Sequence, residues 1–166
     1  MTDSALIAFQ GEPGAFSDLA SREVFPDRQT LPCRAFEDAL AAVTEGAAEY
    51  AVIPIDNSVA GRVADVHHLL PRSGLYIIGE HFSPVHLHLL VNPGVTLADL
   101  KVVRSHVHAL RQTRNRIRGL GLEPVVAADT ACSAADLARA GDRHSAAIAS
   151  ARAGQICRLE SLQTDI

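Results

Sequence analysis

The chain has 166 residues, of which 48% are apolar and 20% charged, a balance typical of one ordinary domain or two small lobes with a real core. A net charge of −4 without a basic run argues against nucleic acid as the main partner, and no apolar run is long enough to span a membrane. Cys33, Cys132 and Cys157 form no CxxC pair, and the N-terminus lacks a signal sequence, so we expect reduced thiols and a cytoplasmic protein.

The first half of the chain alternates strands with helices. Strands are predicted over Leu6–Phe9, Thr30–Cys33 and Ala51–Ile55, and a stretch with helical spacing follows each of them. This order predicts a parallel sheet. Gly11 and Gly14, after the first strand, allow a tight turn and a close approach of the backbone to a ligand. The loop is neither GxGxxG nor a P-loop, so it does not indicate nucleotide binding.

Polar residues concentrate within the stretch Ala51–Val63. The apolar strand is followed by Asp56, Asn57 and Ser58, then by Gly61 and a helical pattern. Asn57 and Ser58 are therefore predicted at a strand-to-helix junction, facing unpaired helix N–H groups, where open α/β sheets usually bind ligands. The alternative is that one of the two only caps the next helix.

A long segment, Tyr76–Val91, follows with a different pattern. Apolar residues alternate with histidines around His86 and His88, which predicts a long strand with one wetter face. The two histidines share that face, but no carboxylate or cysteine stands at a supporting spacing. We therefore predict no metal site.

The second half returns to strands followed by helices. Strands are predicted over Lys101–Arg104, Pro124–Ala127 and Ala146–Ala149, and a short helix capped by Thr96 precedes them over Val95–Leu100. Small polar side chains stand again where these strands end.

Four strand ends thus present polar side chains near predicted helix N-termini: Ser17, Asn57 with Ser58, Ser105 with His106, and Thr130. Such positions suit an anion, and a pair of lobes suits a small polyanion closed between them. Without a Ser-His-Asp spacing, carboxylate pair or cofactor fingerprint, a cofactor-free reaction with one proton donor fits. A non-catalytic small-carboxylate binding module would show the same pattern. Ser105 as a plain helix cap, and Gln112, two turns later, as a surface residue, stay open alternatives.

Five segments, in order, resemble motifs of the prephenate dehydratase family, and together they span nearly the whole chain. They are Gly11–Ser17 (GEPGAFS), Ile53–Gly61 (IPIDNSVAG), Ser105–Leu110 (SHVHAL), Asp129–Ala134 (DTACSA) and Ala146–Ser150 (AAIAS). The second segment is similar to the family's Pro-Ile-Glu-Asn-Ser motif, with Asp56 in place of Glu. The third resembles Ser-His-Pro-Gln-Ala-Leu.

The resemblance implies an α/β, two-lobed, periplasmic-binding-protein-like (type II) fold with mixed sheets and a ligand cleft between lobes of about residues 1–76 and 77–166. It implies a carbon–oxygen lyase that converts prephenate to phenylpyruvate, with loss of CO₂ and water, in phenylalanine biosynthesis. It further implies a cofactor-free enzyme and a homodimer. An arogenate dehydratase is the close alternative, because no residue here distinguishes the two substrates.

The resemblance also assigns residues. It implies catalytic roles for Asn57, Ser105 and Gln112, and it implies further substrate contacts at Phe16, Ser17, Ser58, Gly61, His106 and Thr130. The family's Thr-Arg-Phe motif, whose Thr is associated with proton transfer, and its regulatory domain lie beyond the last residue, and Cys157-Arg158 stands where Tyr-Gly is common. We therefore expect a first lobe without its last strand, and reduced or absent activity unless another hydroxyl replaces that Thr.

Overall fold

A computed structural model describes residues 6–166 and divides the chain into two compact units. Unit 1 comprises residues 6–12 and Phe16–Ser83, and unit 2 comprises Pro13–Ala15 and Pro84–Ile166. Within residues 6–166, no helix has both the length and the apolar character that crossing a bilayer requires.

Unit 1 is built on a three-stranded parallel sheet, as predicted, with β1 in the centre. Its strands are β1 (Ile7–Gln10), β2 (Thr30–Cys33) and β3 (Tyr50–Val52). Its helices are α1 (Phe16–Val24), α2 (Phe36–Thr44) and α3 (Ala64–Leu69), the last followed by a 3₁₀ turn over Leu70–Arg72. The side chains of Ile7, Ala8 and Phe9 are fully buried, so β1 is the core of this unit.

The predicted strand Ala51–Ile55 is shorter than expected. After β3 the chain forms a small hairpin of β4 (Asp56–Asn57) and β5 (Gly61–Arg62). The prediction that Asn57 and Ser58 stand directly before a helix is therefore wrong, and so is the alternative that one of them caps it. Helix α3 begins only at Ala64, and its N-cap, Val63, makes no side-chain cap bond. Pro54 has no N–H, so it cannot extend the parallel ladder as other residues do.

The predicted long strand Tyr76–Val91 is confirmed only for its last four residues, β6 (His88–Val91). Residues 74–87 lie in no helix, strand, turn or bend, and Gly74 adopts a positive φ of +73°. Among the described residues, no backbone-to-backbone hydrogen bond involves residues 76–86. Alternation predicts an extended chain, but a strand also needs a neighbour. The predicted wetter face is wrong within β6, because its last three side chains are all buried.

Unit 2 is built on a five-stranded mixed sheet in the order β10-β6-β9-β7-β8. Strands β8, β7 and β9 run parallel, whereas β6 and β10 pair antiparallel with their neighbours. Its remaining strands are β7 (Val102–Ser105), β8 (Glu123–Val126), β9 (Ser145–Ala149) and β10 (Glu160–Gln163). Its helices are α4 (Val107–Gln112), α5 (Arg114–Gly119), α6 (Thr130–Ala140) and α7 (Ala151–Cys157). The predicted short helix is a 3₁₀ turn, Leu97–Asp99, whose N-cap is Thr96 as expected.

The centre of this sheet is made of small side chains. All five residues of β9 (SAAIA) are buried, and only Ile148 among them is large. The helix α7 also approaches this sheet closely. A Cβ added at Gly154 of α7 would lie 3.0 Å from a methyl carbon of Leu90 on β6. Unit 2 therefore packs its layers closely at positions where only small residues fit.

Candidate functional site

The loop after β1 leads into the first pair of predicted site residues. Gly11 and Gly14 both adopt positive φ, as a tight turn requires, and a Cβ at Gly14 would lie 2.8 Å from the Ala153 Cα. Phe16 and Ser17 are the first two residues of α1, and both are half-buried. The loop glycines thus deliver both side chains to the carboxyl end of the central strand of unit 1.

An ionic cluster around the buried Asp18 side chain, which we did not predict, fixes the start of α1. The Asp18 side chain is fully buried; its Oδ1 accepts hydrogen bonds from Arg22 Nε at 2.9 Å and from Thr30 Oγ1 at 2.9 Å. The Arg22 guanidinium also donates to Thr30 Oγ1 at 2.8 Å. The i, i+4 spacing of Asp18 and Arg22 was the available signal, but such spacing is common on exposed helix faces. Because Asp18 directly follows Ser17, the cluster also fixes the backbone position of Ser17.

Asn57, the last residue of β4, shapes the β4–β5 turn. Its side-chain Oδ1 accepts hydrogen bonds from the backbone N–H groups of Val59 at 2.9 Å and Ala60 at 2.8 Å. Gly61 closes the turn at φ +81°, and Ser58 is exposed within it. The structure therefore brings Asn57, Ser58 and Gly61 into one turn, whose shape depends on the Asn57 amide oxygen.

Ser105 is fully buried at the end of β7. Its hydroxyl donates a 2.6 Å hydrogen bond to the backbone oxygen of Ile148 on the neighbouring strand β9. It is not the cap of the next helix; that position belongs to His106. The hydroxyl proton of Ser105 is thus used inside unit 2, and the catalytic role predicted for this residue stays a prediction.

His106 and Thr130 stand at the ends of the adjacent parallel strands β7 and β8. The half-buried His106 ring accepts a 3.4 Å hydrogen bond from the His108 backbone N–H at Nδ1, which leaves the proton on Nε2. Burial lowers the pKa of His106, the charge of His108 lowers it further, and the Asp129 carboxylate opposes both. The His106 ring therefore lies within electrostatic range of Asp129, the residue before Thr130.

Two helices of unit 2, α6 and α7, begin with side-chain caps. Asp129 Oδ1 accepts from Cys132 N at 2.6 Å before α6, and Ser150 Oγ accepts from Ala153 N at 3.0 Å before α7. The Ser150 hydroxyl also donates to the backbone oxygen of Gly14 at 2.6 Å. Each cap already uses one N–H group of its helix, and an anion at α6 would also meet the negative charge of Asp129. That these positions bind an anion stays a prediction.

Gln112 lies apart from these groups. It is the half-buried last residue of α4, a helix of six residues that is about 9 Å long. The carboxyl ends of β7 and β8 lie at the other end of that helix. Ser105, His106 and Thr130 thus lie at or just after the carboxyl ends of the adjacent strands β7 and β8, whereas Gln112 lies at the far end of α4, and its catalytic role stays a prediction.

Cavities and metal ligands do not mark a different site. A depression of about 220 Å³ lies between α2 and α3 in unit 1, and one of about 250 Å³ lies beside α4 and α5 in unit 2. Neither is lined by a predicted site residue. Within residues 6–166, no three His, Cys, Asp or Glu side chains converge in a way that would hold a metal ion.

Comparison with known proteins shows the family of this chain. A family model described as prephenate dehydratase matches residues 7–166. The chain belongs to this family. It is 47% identical over its whole length to a protein of Komagataeibacter europaeus described as a bifunctional N-acyl-homoserine lactone acylase/prephenate dehydratase, and covers 59% of that protein. It is 42% identical over 160 residues to the chloroplastic arogenate dehydratase/prephenate dehydratase 1 of Arabidopsis thaliana, of which it covers 41%.

Solved structures agree with this assignment. A structure described as a novel type of quorum quenching acylase is 48% identical, with a TM-score of 0.90 over 97% of this chain and 59% of its own. The prephenate dehydratase of Arthrobacter aurescens, solved with L-Phe, is 31% identical, with a TM-score of 0.90 over 98% of this chain and 55% of its own. The predicted fold class, periplasmic-binding-protein-like (type II) with mixed sheets, is confirmed. The chain spans 41 to 59% of the length of these proteins.

Proposed function

We propose that this chain is the catalytic part of a prephenate dehydratase, which converts prephenate to phenylpyruvate. The observation that carries the proposal is the family match over residues 7–166. The polar residues at the strand ends of each unit support it, because a substrate with two carboxylates and a hydroxyl needs several oriented hydrogen-bond partners.

The reaction itself asks little of the protein beyond orientation and one proton. The bond between the ring and its carboxylate breaks and releases CO₂. Its electron pair enters the ring and expels the ring hydroxyl, which takes up one proton and leaves as water. Because the product ring is aromatic, the protein must mainly hold the carboxylates, exclude water and supply that proton.

The described contacts suggest how roles are divided in this proposal. Asn57, whose oxygen is held by its turn, contributes its amide group to the scheme, and the Thr130 hydroxyl and the His106 ring contribute two further polar groups in unit 2. Since the Ser105 proton is bonded to Ile148, we assign Ser105 a positioning role, which fixes the end of β7. Gln112 stays in the proposal on the family resemblance alone. No cofactor enters this scheme.

Arogenate is the alternative substrate, because the Arabidopsis relative has both activities in its name. A second candidate function is removal of the acyl group from N-acyl-homoserine lactones. It is favoured by the 47% identity to the Komagataeibacter relative over the whole of this chain. A third reading, a non-catalytic module that binds small carboxylates, predicts binding without turnover.

The test is phenylpyruvate formation from prephenate by the 166-residue chain, in mildly alkaline buffer where the spontaneous acid reaction is slow. Arogenate and an N-acyl-homoserine lactone are assayed in parallel, and prephenate binding is followed by NMR. Turnover of prephenate above the protein-free rate supports the proposal. Turnover of the lactone alone would favour the acylase, and prephenate binding without turnover would favour the binding module.

Two variants of Asn57 sharpen this test. Asn57→Asp retains an oxygen that accepts from Val59 and Ala60 but removes the amide donor, whereas Asn57→Ala removes both. We expect both to lower turnover by about 10²-fold, the typical cost of one oriented donor. Asn115→Ala, on the exposed face of α5, is the matched control and should retain full activity. Near-normal turnover of Asn57→Asp would reject the donor role.

A further inference from the structure

The loop Gly11–Ser17, which leads to two of the proposed substrate contacts, is held at three points. At its start, the Gly11 N–H donates to the backbone oxygen of Cys33 at 2.9 Å, which continues the pairing of β1 with β2. Just after its end, Asp18 is fixed by the ionic cluster described above. The third point is Gly14, in the middle of the loop, and its partner is far away in the sequence.

Gly14 packs against the first turn of α7 in unit 2. The Ser150 hydroxyl, which is 1% exposed, donates a 2.6 Å hydrogen bond to the Gly14 carbonyl oxygen. A Cβ added at Gly14 would lie 2.8 Å from the Ala153 Cα and 2.9 Å from the Ala153 nitrogen, so the loop backbone lies directly against the helix. Gly14 and its neighbour Ala15 are both buried. Contacts at one carbonyl and one Cα thus fix the middle of the loop.

The Ser150 hydroxyl makes two hydrogen bonds of different kinds. Its oxygen accepts from the Ala153 N–H at 3.0 Å, which caps α7, and its proton goes to the Gly14 carbonyl. A helix cap uses only the oxygen of such a side chain. The bond to Gly14 is therefore a contact that capping alone does not require.

The carboxyl end of β9, where Ser150 follows, also holds a second segment of the candidate site. The Ser105 hydroxyl donates to the backbone oxygen of Ile148, two residues before Ser150. The same strand end thus fixes the end of β7, which leads to His106, and the loop that leads to Phe16.

We propose that Ser150 is a positioning residue for the substrate site: by holding the Gly14 carbonyl, it fixes the backbone that carries Phe16 and Ser17. Both residues lie between Gly14 and Asp18, the two anchored positions on either side of them. A loop that is ordered before binding does not have to be ordered at the expense of affinity. The inference rests on the proposed function, because it takes Phe16 and Ser17 as contacts of the substrate.

The experiment uses variants of the full 166-residue chain that separate the loop contact from the helix cap. Ser150→Ala and Ser150→Gly both lose the hydroxyl proton, but glycine is tolerated at an N-cap much better than alanine. An effect of the loop should therefore be equal in the two variants, whereas an effect of the helix should be larger in Ser150→Ala. Ser145→Ala is the matched control. Its hydroxyl is 3% exposed and donates to Asp142 Oδ2 at 2.5 Å, at the opposite end of β9.

Two measurements are made on each variant. We expect the KM for prephenate to rise about tenfold in both Ser150→Ala and Ser150→Gly, with kcat within about threefold of the wild type, because a substrate contact is weakened equally in the ground and transition states. The NMR order parameters of the Ala15 and Phe16 amides, measured without substrate, should fall from about 0.85 to below about 0.6 in the same two variants. Ser145→Ala should change neither quantity, and Ser150→Thr, which keeps the hydroxyl, should behave as the wild type.

The results that would overturn the proposal are distinct from those that would reject the proposed function. Values of KM and order parameters in both Ser150 variants that match those of Ser145→Ala would overturn it. A rise in KM in Ser150→Ala alone would also overturn it, because that result assigns the effect to the cap of α7. A wild type that does not turn over prephenate would reject the proposed function instead, and the order parameters alone would then decide whether Ser150 holds the loop.

Discussion

Ser105→Ala separates a positioning role from a catalytic one. The substitution removes a single neutral hydrogen bond, 2.6 Å long, from a fully buried hydroxyl to the Ile148 carbonyl. Such a bond contributes about 1 kcal/mol to stability, and the buried Ile148 carbonyl loses one of its hydrogen-bond partners, so we expect a loss of about 1–2 kcal/mol. If Ser105 only positions the end of β7, turnover should fall by no more than about tenfold. A residue that donates the proton would cost 10²–10⁴-fold.

Hydrogen exchange of the β7 and β9 amides measures the stability change within unit 2, and prephenate turnover measures the functional change. Ser133→Ala is the matched control. Its hydroxyl is equally buried and donates a 2.7 Å bond to the Asp129 carbonyl, but it lies inside α6 rather than at a strand end. It should lose similar stability and retain its activity. A turnover loss above 10²-fold in Ser105→Ala, with unchanged exchange rates, would refute the positioning role.

Gly14→Ala should destabilise unit 2 by about 3 kcal/mol, because a Cβ there meets the α7 backbone at 2.8 Å, whereas Gly141→Ala, also at positive φ but in open space, should cost about 1 kcal/mol. Arg22→Ala should cost about 2 kcal/mol, less than a fully buried pair, since Asp18 is buried but Arg22 is 40% exposed. His106→Gln should reduce the loss in the free energy of unfolding that occurs as the pH is lowered. Because the folded pKa of His106 lies below its ordinary value of about 6.5, its contribution is full above that pH and is lost as the pH falls below it.

Each of these has a direct measurement. Urea unfolding and hydrogen exchange compare the two glycine variants, and equal costs would contradict the close approach at Gly14. Exchange of the α1 amides reports on Arg22→Ala, where a neutral result would mean that the other partners of Asp18 suffice. An NMR titration of the His106 ring gives its pKa, and a value above that of free histidine would reverse the sign of the argument.

Much of the fold could be predicted from apolar runs and the glycines that bound them. The strand Thr30–Cys33 has the predicted bounds, and the predicted helix after Asp129 ends at Gly141 in the left-handed conformation. Strand β10 was missed because its sequence, ESLQ, is mostly polar and only its partner β6 supplies an apolar neighbour. Such a strand is specified by the sheet it joins rather than by its own pattern.

The candidate site shows the same limit. The residues at the ends of β7 and β8 could be located, because a small polar side chain after a buried strand is a local signal. The hydrogen bond of the Ser105 hydroxyl could not be predicted, because its partner, Ile148, is 43 residues away in the sequence. At Asn57, a hairpin with strands of two residues is too short for periodicity to detect, although an Asn followed by a glycine four residues later was a usable turn signal.

The alanine-rich centre of unit 2 restricts how this protein can vary. A leucine in a core can be replaced by a smaller residue, which leaves a cavity, or by a larger one, which strains the packing. At Ala146, Ala147 and Ala149 only glycine is smaller, so nearly every replacement adds volume between layers that are already in contact. Random substitutions at these positions therefore nearly always increase the side-chain volume. They can be compensated only by smaller residues on the elements that face β9. Lineages of this chain should therefore show paired changes, in which a larger residue on β9 accompanies a smaller one on the helix that covers it.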